Sequence, residues 1–383
     1  MQHPTIIRTL FSHLRCSKYG DFYAKDKVQT YSNADKPLWA CYELEEYPIM
    51  DLLDSSYEGM WRYRKLLPVE WDENIVSLGE GGSPLIPLEK ELFLKDEAAN
   101  PTGSFKARGL SMAISKAKEL GITKCVIPTA GNAGGAMSAY CAKAGMEANV
   151  YMPRETPKTF AKECEFFGAK VKLIDGNIGD CAAQIKADGL EDCFDVSTLK
   201  EPYRLEGKKT MGYEIAEQLN WKIPDVIVYP TGGGTGLIGI WKAFEEMMQL
   251  GWVAGEMPRM VAVQSEACYP IVKAFEAGES QAKRFEDPGL SLANGLRVPT
   301  AFGDELILNI LYKSNGKAVK IPEQDIESSI HQFAQKYGIL LSPEGAAVYK
   351  AYQNLLADRW ITKDMCVVLL NTGTIYKYME NFV

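Results

Sequence analysis

From about residue 80 the chain alternates short apolar runs with longer helix-like stretches, many of them closed by glycine. This pattern constrains the fold more than any other feature. Leu92-Phe93-Leu94 reads as a strand, and Phe105 to Leu120 as a helix stopped by Gly121. Cys125-Val126-Ile127 is again strand-like, and the helix from Ala133 to Ala144 ends at Gly145. Ala148 to Met152 reads as extended, with a helix from about Pro157 to Phe167 closed by Gly168. Lys170 to Ile174 is extended, Ile178 to Asp188 helical and Lys208 to Leu219 helical. Asp225 to Tyr229 is a strand before a long helix from about Gly236 to Leu250, and Met260 to Gln264 and Cys366 to Leu370 are further strands. Strands alternating with helices build βαβ units and largely parallel sheets, so the fold class is α/β. A chain of 383 residues predicts two or three lobes of this kind.

Composition narrows the chemistry. The formal net charge of −8 disfavours a nucleic-acid partner, which needs a clustered basic face. Only three histidines, His3, His13 and His331, leave little for a His-rich metal site or a serine-hydrolase triad. Nine cysteines contain no Cys-x-x-Cys pair and read as reduced thiols, as in a cytoplasmic protein. The amino terminus lacks a signal-peptide layout, and no apolar run approaches the roughly 18 residues of a membrane span.

In open α/β sheets ligands collect where strands give way to helix amino termini. Four such loops stand out. Thr231-Gly232-Gly233-Gly234-Thr235-Gly236 follows an apolar strand and opens a helix, so converging backbone N–H groups suit a phosphate. It is neither a dinucleotide fingerprint nor a P-loop; a tight turn alone is the other reading. Asn100-Pro101-Thr102-Gly103-Ser104-Phe105-Lys106 places a lysine in the first turn of a helix, flanked by Phe105 and Ala107. There its ammonium form is disfavoured, as a Schiff-base lysine requires, unless it is simply a solvated charge. Thr129-Ala130-Gly131-Asn132 offers amides, a hydroxyl and a carboxamide, with Asn132 as a plain N-cap the alternative. Asn371-Thr372-Gly373-Thr374 places hydroxyls after the last strand. Residues 279–304 read as a long irregular excursion of functional or lid-like type.

Together with Gly79-Glu80-Gly81-Gly82-Ser83-Pro84-Leu85, these loops resemble the fold-type II, tryptophan-synthase-β-like family of pyridoxal-phosphate enzymes, from about Gly79 to Val383. The resemblance implies two three-layer lobes of open twisted sheet with pyridoxal 5′-phosphate between them. It makes Lys106 the cofactor lysine and sole catalytic residue, with Asn132 at the cofactor's 3′ oxygen. Gly232, Gly233, Gly234, Thr235 and Gly236 would hold the cofactor phosphate, and Thr372 would meet the ring nitrogen. Within the family it is most similar to the branch that turns O-phospho-L-homoserine and water into L-threonine and phosphate. Thr129, Ala130, Gly131 and Asn132 would then take the substrate carboxylate, with Ser83, Arg108, Lys158 and Arg204 as candidates for its phosphate. A homodimer follows by the same analogy. β-Replacement or deamination on a phosphoserine-, serine- or threonine-like amino acid is the alternative within the family, and a catalytically silent ligand-binding scaffold the alternative outside it.

The implied division is an amino-terminal segment 1–75 packed on the large domain, a large domain of 76–106 plus 206–383, and a small mobile domain of 107–205. Many members of the branch begin with two Cys-x-x-Cys pairs. Here the first reads Cys16-Ser17-Lys18-Tyr19 and the second Ser32-Asn33-Ala34-Asp35, so no metal is expected. Ala107, Ile375 and Tyr376 also depart from the family pattern, and bear on substrate identity more than on cofactor chemistry.

Overall fold

The computed structural model describes residues 6–382; His3 lies outside them. The chain divides into two compact units. One holds the described residues up to Gly82 with Asn100–Thr102 and Lys106–Thr210, and the other holds Ser83–Ala99, Gly103–Phe105 and the described residues from Met211.

The first unit opens with β1 (Phe11–Cys16), β2 (Phe22–Tyr23) and β3 (Leu38–Tyr42), an antiparallel sheet in the order β2-β1-β3, and the short helix α1 (Ile49–Leu52). These strands escaped the sequence reading because their aromatic and charged residues give no clean two-residue alternation. The two altered Cys-x-x-Cys positions come together there, with Cys16 Sγ donating to Ser32 Oγ at 3.3 Å. Among the described residues no group of three or more His, Cys, Asp or Glu is arranged to hold a metal ion.

Next in the chain, β4 (Leu85–Glu89) and β5 (Leu92–Asp96) belong to the second unit. The chain then returns to the first unit for α2 (Lys106–Glu119), β6 (Lys124–Pro128), α3 (Asn132–Ala144), β7 (Glu147–Pro153) and α4 (Lys158–Phe166). That run continues with β8 (Lys170–Ile174), α5 (Ile178–Ala187), β9 (Phe194–Asp195) and the first half of α6 (Tyr203–Gln218). Its four strands pair in parallel, in the order β8-β7-β6-β9.

The second unit is completed by β10 (Val226–Pro230), α7 (Thr235–Gln249), β11 (Arg259–Ser265), α8 (Pro270–Glu276), α9 (Asp304–Lys313) and β12 (Lys317–Ile321). Two long helices, α10 (Glu323–Tyr337) and α11 (Pro343–Ala357), precede the final strand β13 (Val367–Asn371). Its six strands run β12-β11-β10-β13-β5-β4, parallel except for the antiparallel β4–β5 edge. β10 and β13 are buried at every residue, which explains why Val226-Ile227-Val228-Tyr229 and Val367-Val368-Leu369-Leu370 read as unbroken apolar runs.

Two differences from the sequence reading bear on function. The division by contacts groups the leading segment with the four-stranded sheet, whereas the sequence division assigned 1–75 to the large domain; Tyr42 Oη, for instance, donates to Glu206 at 2.7 Å and Lys209 Nζ to the Leu66 carbonyl at 2.9 Å. Helix α6 also begins at Tyr203, five residues before the expected Lys208, because the Glu201 carboxylate accepts the orphan N–H groups of Tyr203 (2.7 Å) and Arg204 (3.0 Å).

Candidate active-site residues

In the six-stranded unit, β10 delivers Thr231–Gly234 to the amino terminus of α7. Thr231 N–H is tied to the Val263 carbonyl at 2.7 Å, but among the described residues Gly232, Gly233 and Gly234 donate their N–H groups to no protein acceptor. Three successive unpaired amides at a helix amino terminus form a concave donor set suited to a phosphate. The glycines are sterically required. Gly234 has φ 77°, and a Cβ there would collide with Ile307. A Cβ at Gly232 would strike the Gly295 carbonyl oxygen, and one at Gly236 the Tyr229 hydroxyl. That hydroxyl is buried without a hydrogen-bond partner, and burial, with the Glu97 carboxylate, raises its pKa. Gly295 lies in the excursion 279–304, where its N–H donates to Glu344 at 2.9 Å, so the irregular segment backs the glycine loop.

The same unit holds the residues just before Lys106. Phe105 N–H donates to the Thr372 carbonyl at 3.1 Å, and Thr374 N–H donates to the Gly103 carbonyl at 2.9 Å. Ser104 and Gly373 form an antiparallel bridge between those bonds. The Phe105 ring meets Tyr229 edge-on at 6.2 Å, which ties the stretch preceding Lys106 to β10 as well. Thr372 is buried at the end of β13. Ser83 has structural partners: its hydroxyl donates to Glu97 at 2.5 Å, and its carbonyl accepts from Lys95 Nζ at 2.7 Å.

In the four-stranded unit, Lys106 is the first residue of α2 and Asn132 the first of α3. Gly131 occupies the N-cap and makes no side-chain cap, so Asn132 is not a plain N-cap. Thr129 Oγ accepts the Gly131 N–H at 3.2 Å and closes the turn that carries Ala130. Arg108 is buried on α2 and donates to Thr210 Oγ at 3.0 Å. Arg204 is buried on α6; one terminal nitrogen donates to the Val196 carbonyl at 2.5 Å, while Nε and the other terminal nitrogen are buried with no partner. Burial lowers the Arg204 pKa, against the raising influence of Glu201 and Asp195. Burial pushes Glu201 up to about 7, the Arg204 charge and two backbone N–H bonds acting the other way. Lys158, at the start of α4, is exposed.

Two residues escaped the sequence reading. Glu80, inside the quoted glycine motif, accepts from Trp61 Nε1 (2.7 Å), Ser111 Oγ (2.6 Å) and Tyr140 Oη (2.5 Å), anchoring that motif beneath α2. Lys208 is fully buried on α6, where the Arg204/Lys208 spacing of four on one helix face was the available signal.

The chain thus carries a lysine at a helix start, a glycine donor loop and strand-end hydroxyls. Residues 76–373 match the family described as pyridoxal-phosphate dependent enzyme, and the chain belongs to that family. Among its relatives are threonine synthases. That of Methanosarcina acetivorans is 34% identical over 95% of this chain and 92% of its own, and that of Methanocaldococcus jannaschii 32% over 94% and 91%. The fold is shared with an L-serine ammonia-lyase from Rhizomucor miehei (TM-score 0.64, 21% identity, 79% of this chain and 98% of that one). It is also shared with maize serine racemase (TM-score 0.63, 18% identity, 78% and 93%). This is the fold-type II architecture expected from the sequence.

Proposed function

We propose that this chain converts O-phospho-L-homoserine and water to L-threonine and phosphate. The observation that carries the reading is Arg204, a buried guanidinium with two N–H donors that no protein group satisfies. Such donors are costly to bury and suit a dianionic phosphate. The threonine synthase relatives, similar over nearly the whole chain, support the same choice.

Pyridoxal phosphate, when bound, supplies the electron sink for carbanions at the substrate carbons. Lys106 would bear the cofactor, and its amine would move protons at Cα and Cβ as base and acid. Gly232–Gly236 would hold the cofactor phosphate, Asn132 the 3′ oxygen and Thr372 the ring nitrogen. A hydroxyl at that nitrogen, unlike a carboxylate, does not hold a full positive charge there, which favours elimination over transamination. The Thr129–Asn132 turn receives the substrate carboxylate. Arg204 holds the departing phosphate, with Arg108, Ser83 and Lys158 as further candidates for that group. In the net reaction the Cγ–O bond breaks and phosphate leaves, Cβ gives up a proton and takes the hydroxyl of water, and the two protons from Cβ and water go to Cγ, which becomes a methyl group, and to the departing phosphate. The nine cysteines are free thiols, which agrees with a cytoplasmic enzyme, and we place the chain there as a homodimer.

Incubation with O-phospho-L-homoserine tests the reading: threonine and phosphate should appear in equal amounts, and Lys106→Ala should abolish both. Release of a keto acid and ammonia in place of threonine would assign the chain to a deaminase instead.

A further inference from the structure

Strand β10 is buried at every residue, and Tyr229 is the one side chain on it that carries a polar atom. Its hydroxyl has no hydrogen-bond partner among the described residues. Phenylalanine would fill the same space without an unmet donor, so the hydroxyl is a cost to the empty protein. Its surroundings identify the missing acceptor. A Cβ on Gly236 would lie 1.8 Å from the hydroxyl oxygen, which puts that oxygen within about 3.3 Å of the Gly236 Cα once a carbon–carbon bond of about 1.5 Å is allowed for. Gly236 is the second residue of α7, in the turn whose N–H groups have no intrahelical acceptor. Cα–Cβ bonds on a helix tilt towards its amino terminus. The hydroxyl therefore lies off Gly236 in the direction of the unpaired Gly232, Gly233 and Gly234 amides.

We propose that the Tyr229 hydroxyl is a further donor to the phosphate held at the amino terminus of α7, reaching it from the strand while the glycine amides reach it from the loop. An anionic phosphate oxygen is the acceptor that rewards a buried O–H most, since a bond to a charged oxygen is about twice as strong as one between neutral groups. Burial and the Glu97 carboxylate both raise the tyrosine pKa, so the hydroxyl keeps the proton it donates. The Phe105 ring, edge-on at 6.2 Å, packs against the tyrosine ring and helps to keep it in place. Gly236 itself has no side chain because any Cβ there would occupy the space of the hydroxyl. The glycine and the tyrosine thus form one device: the first clears the space into which the second presents its donor.

This role rests on the reading that the glycine loop holds the cofactor phosphate, and the experiment separates the two claims. The full-length chain, freed of cofactor, is titrated with pyridoxal phosphate and, separately, with pyridoxal, which lacks the phosphate; binding is followed by visible absorbance. Urea unfolding of the cofactor-free protein is measured alongside. Tyr229→Phe should weaken binding of pyridoxal phosphate by about tenfold or more and leave that of pyridoxal within about twofold of wild type. In the same variant the urea midpoint of the cofactor-free protein should be equal to or above that of wild type, because an unmet donor has gone. Unchanged affinity for pyridoxal phosphate, or equal weakening for both ligands, would overturn the role given to Tyr229 and leave the glycine loop untouched. A lowered urea midpoint would also overturn it, by showing that a trapped water or another internal group already takes the proton. Wild-type protein that binds pyridoxal as tightly as pyridoxal phosphate would refute the glycine-loop reading itself, and the role of Tyr229 with it.

Discussion

Replacing Arg204 by methionine should make the ligand-free protein more stable and at the same time disable it. The native guanidinium leaves two buried N–H donors unpaired, and each such donor costs about 1–3 kcal/mol, or about 2–6 kcal/mol together. Methionine fills much of the same volume without those donors. Against this, it strands the Val196 carbonyl, at a cost of about 1–3 kcal/mol. The neighbouring Glu201, already pushed up to about 7, can take a proton near neutrality and so is not left as a bare buried charge. The net expectation is a gain of about 1–3 kcal/mol, read as a higher urea midpoint with an unchanged slope. The loss in function is larger. Two hydrogen bonds from a cation to a phosphate contribute about 3–6 kcal/mol, so kcat/KM for phosphate release should fall by roughly a hundred- to ten-thousand-fold. A variant that loses stability by more than about 2 kcal/mol yet keeps kcat/KM within tenfold would show that the unpaired donors serve the fold and not the substrate.

Glu201 itself supplies a pH test. Its folded pKa is raised from 4.5 to about 7, so its contribution is fully present below pH 4.5 and is lost as pH rises towards 7. The difference corresponds to about 3 kcal/mol, and Glu201→Gln should flatten the urea midpoint between pH 5 and pH 7.5, roughly the same window. Glu80→Ala leaves Trp61 Nε1, Ser111 Oγ and Tyr140 Oη without their shared acceptor and should cost about 3–5 kcal/mol, visible as a lowered Tm. Gly236→Ala drives a methyl into the Tyr229 hydroxyl and ring, so it should weaken cofactor uptake, measured by visible absorbance of the reconstituted protein, more than it lowers Tm.

What the sequence disclosed, and what it withheld, follows from the range of the interactions involved. The β10–glycine loop–α7 unit was legible because its signals are local: an apolar run, crowded glycines and then an amphipathic helix. The early start of α6 was not, since a glutamate two residues before Tyr203 performs the capping usually read from Ser, Thr, Asp or Asn. Nothing local in Glu80 announces three donors from three different parts of the chain. Lys208 reads as a surface lysine until Gly109 and Gly207 are known to face each other across a helix crossing. Long-range enclosure, not residue type, makes these side chains consequential.

The sheet order also dictates when the protein can be finished. β13 pairs with β10 on one side and β5 on the other, so the sheet's last strand in chain order occupies its middle. Asn371 bonds Asp96 across a separation of 275 residues. Until residues 367–371 leave the ribosome, β4 and β5 have no partner strand joining them to β10, β11 and β12, and a row of unpaired backbone groups stays open on each side. A stop codon ahead of residue 367 would therefore split the sheet through its centre. Nascent chains of this protein should depend on chaperones until residues 367–371 have emerged.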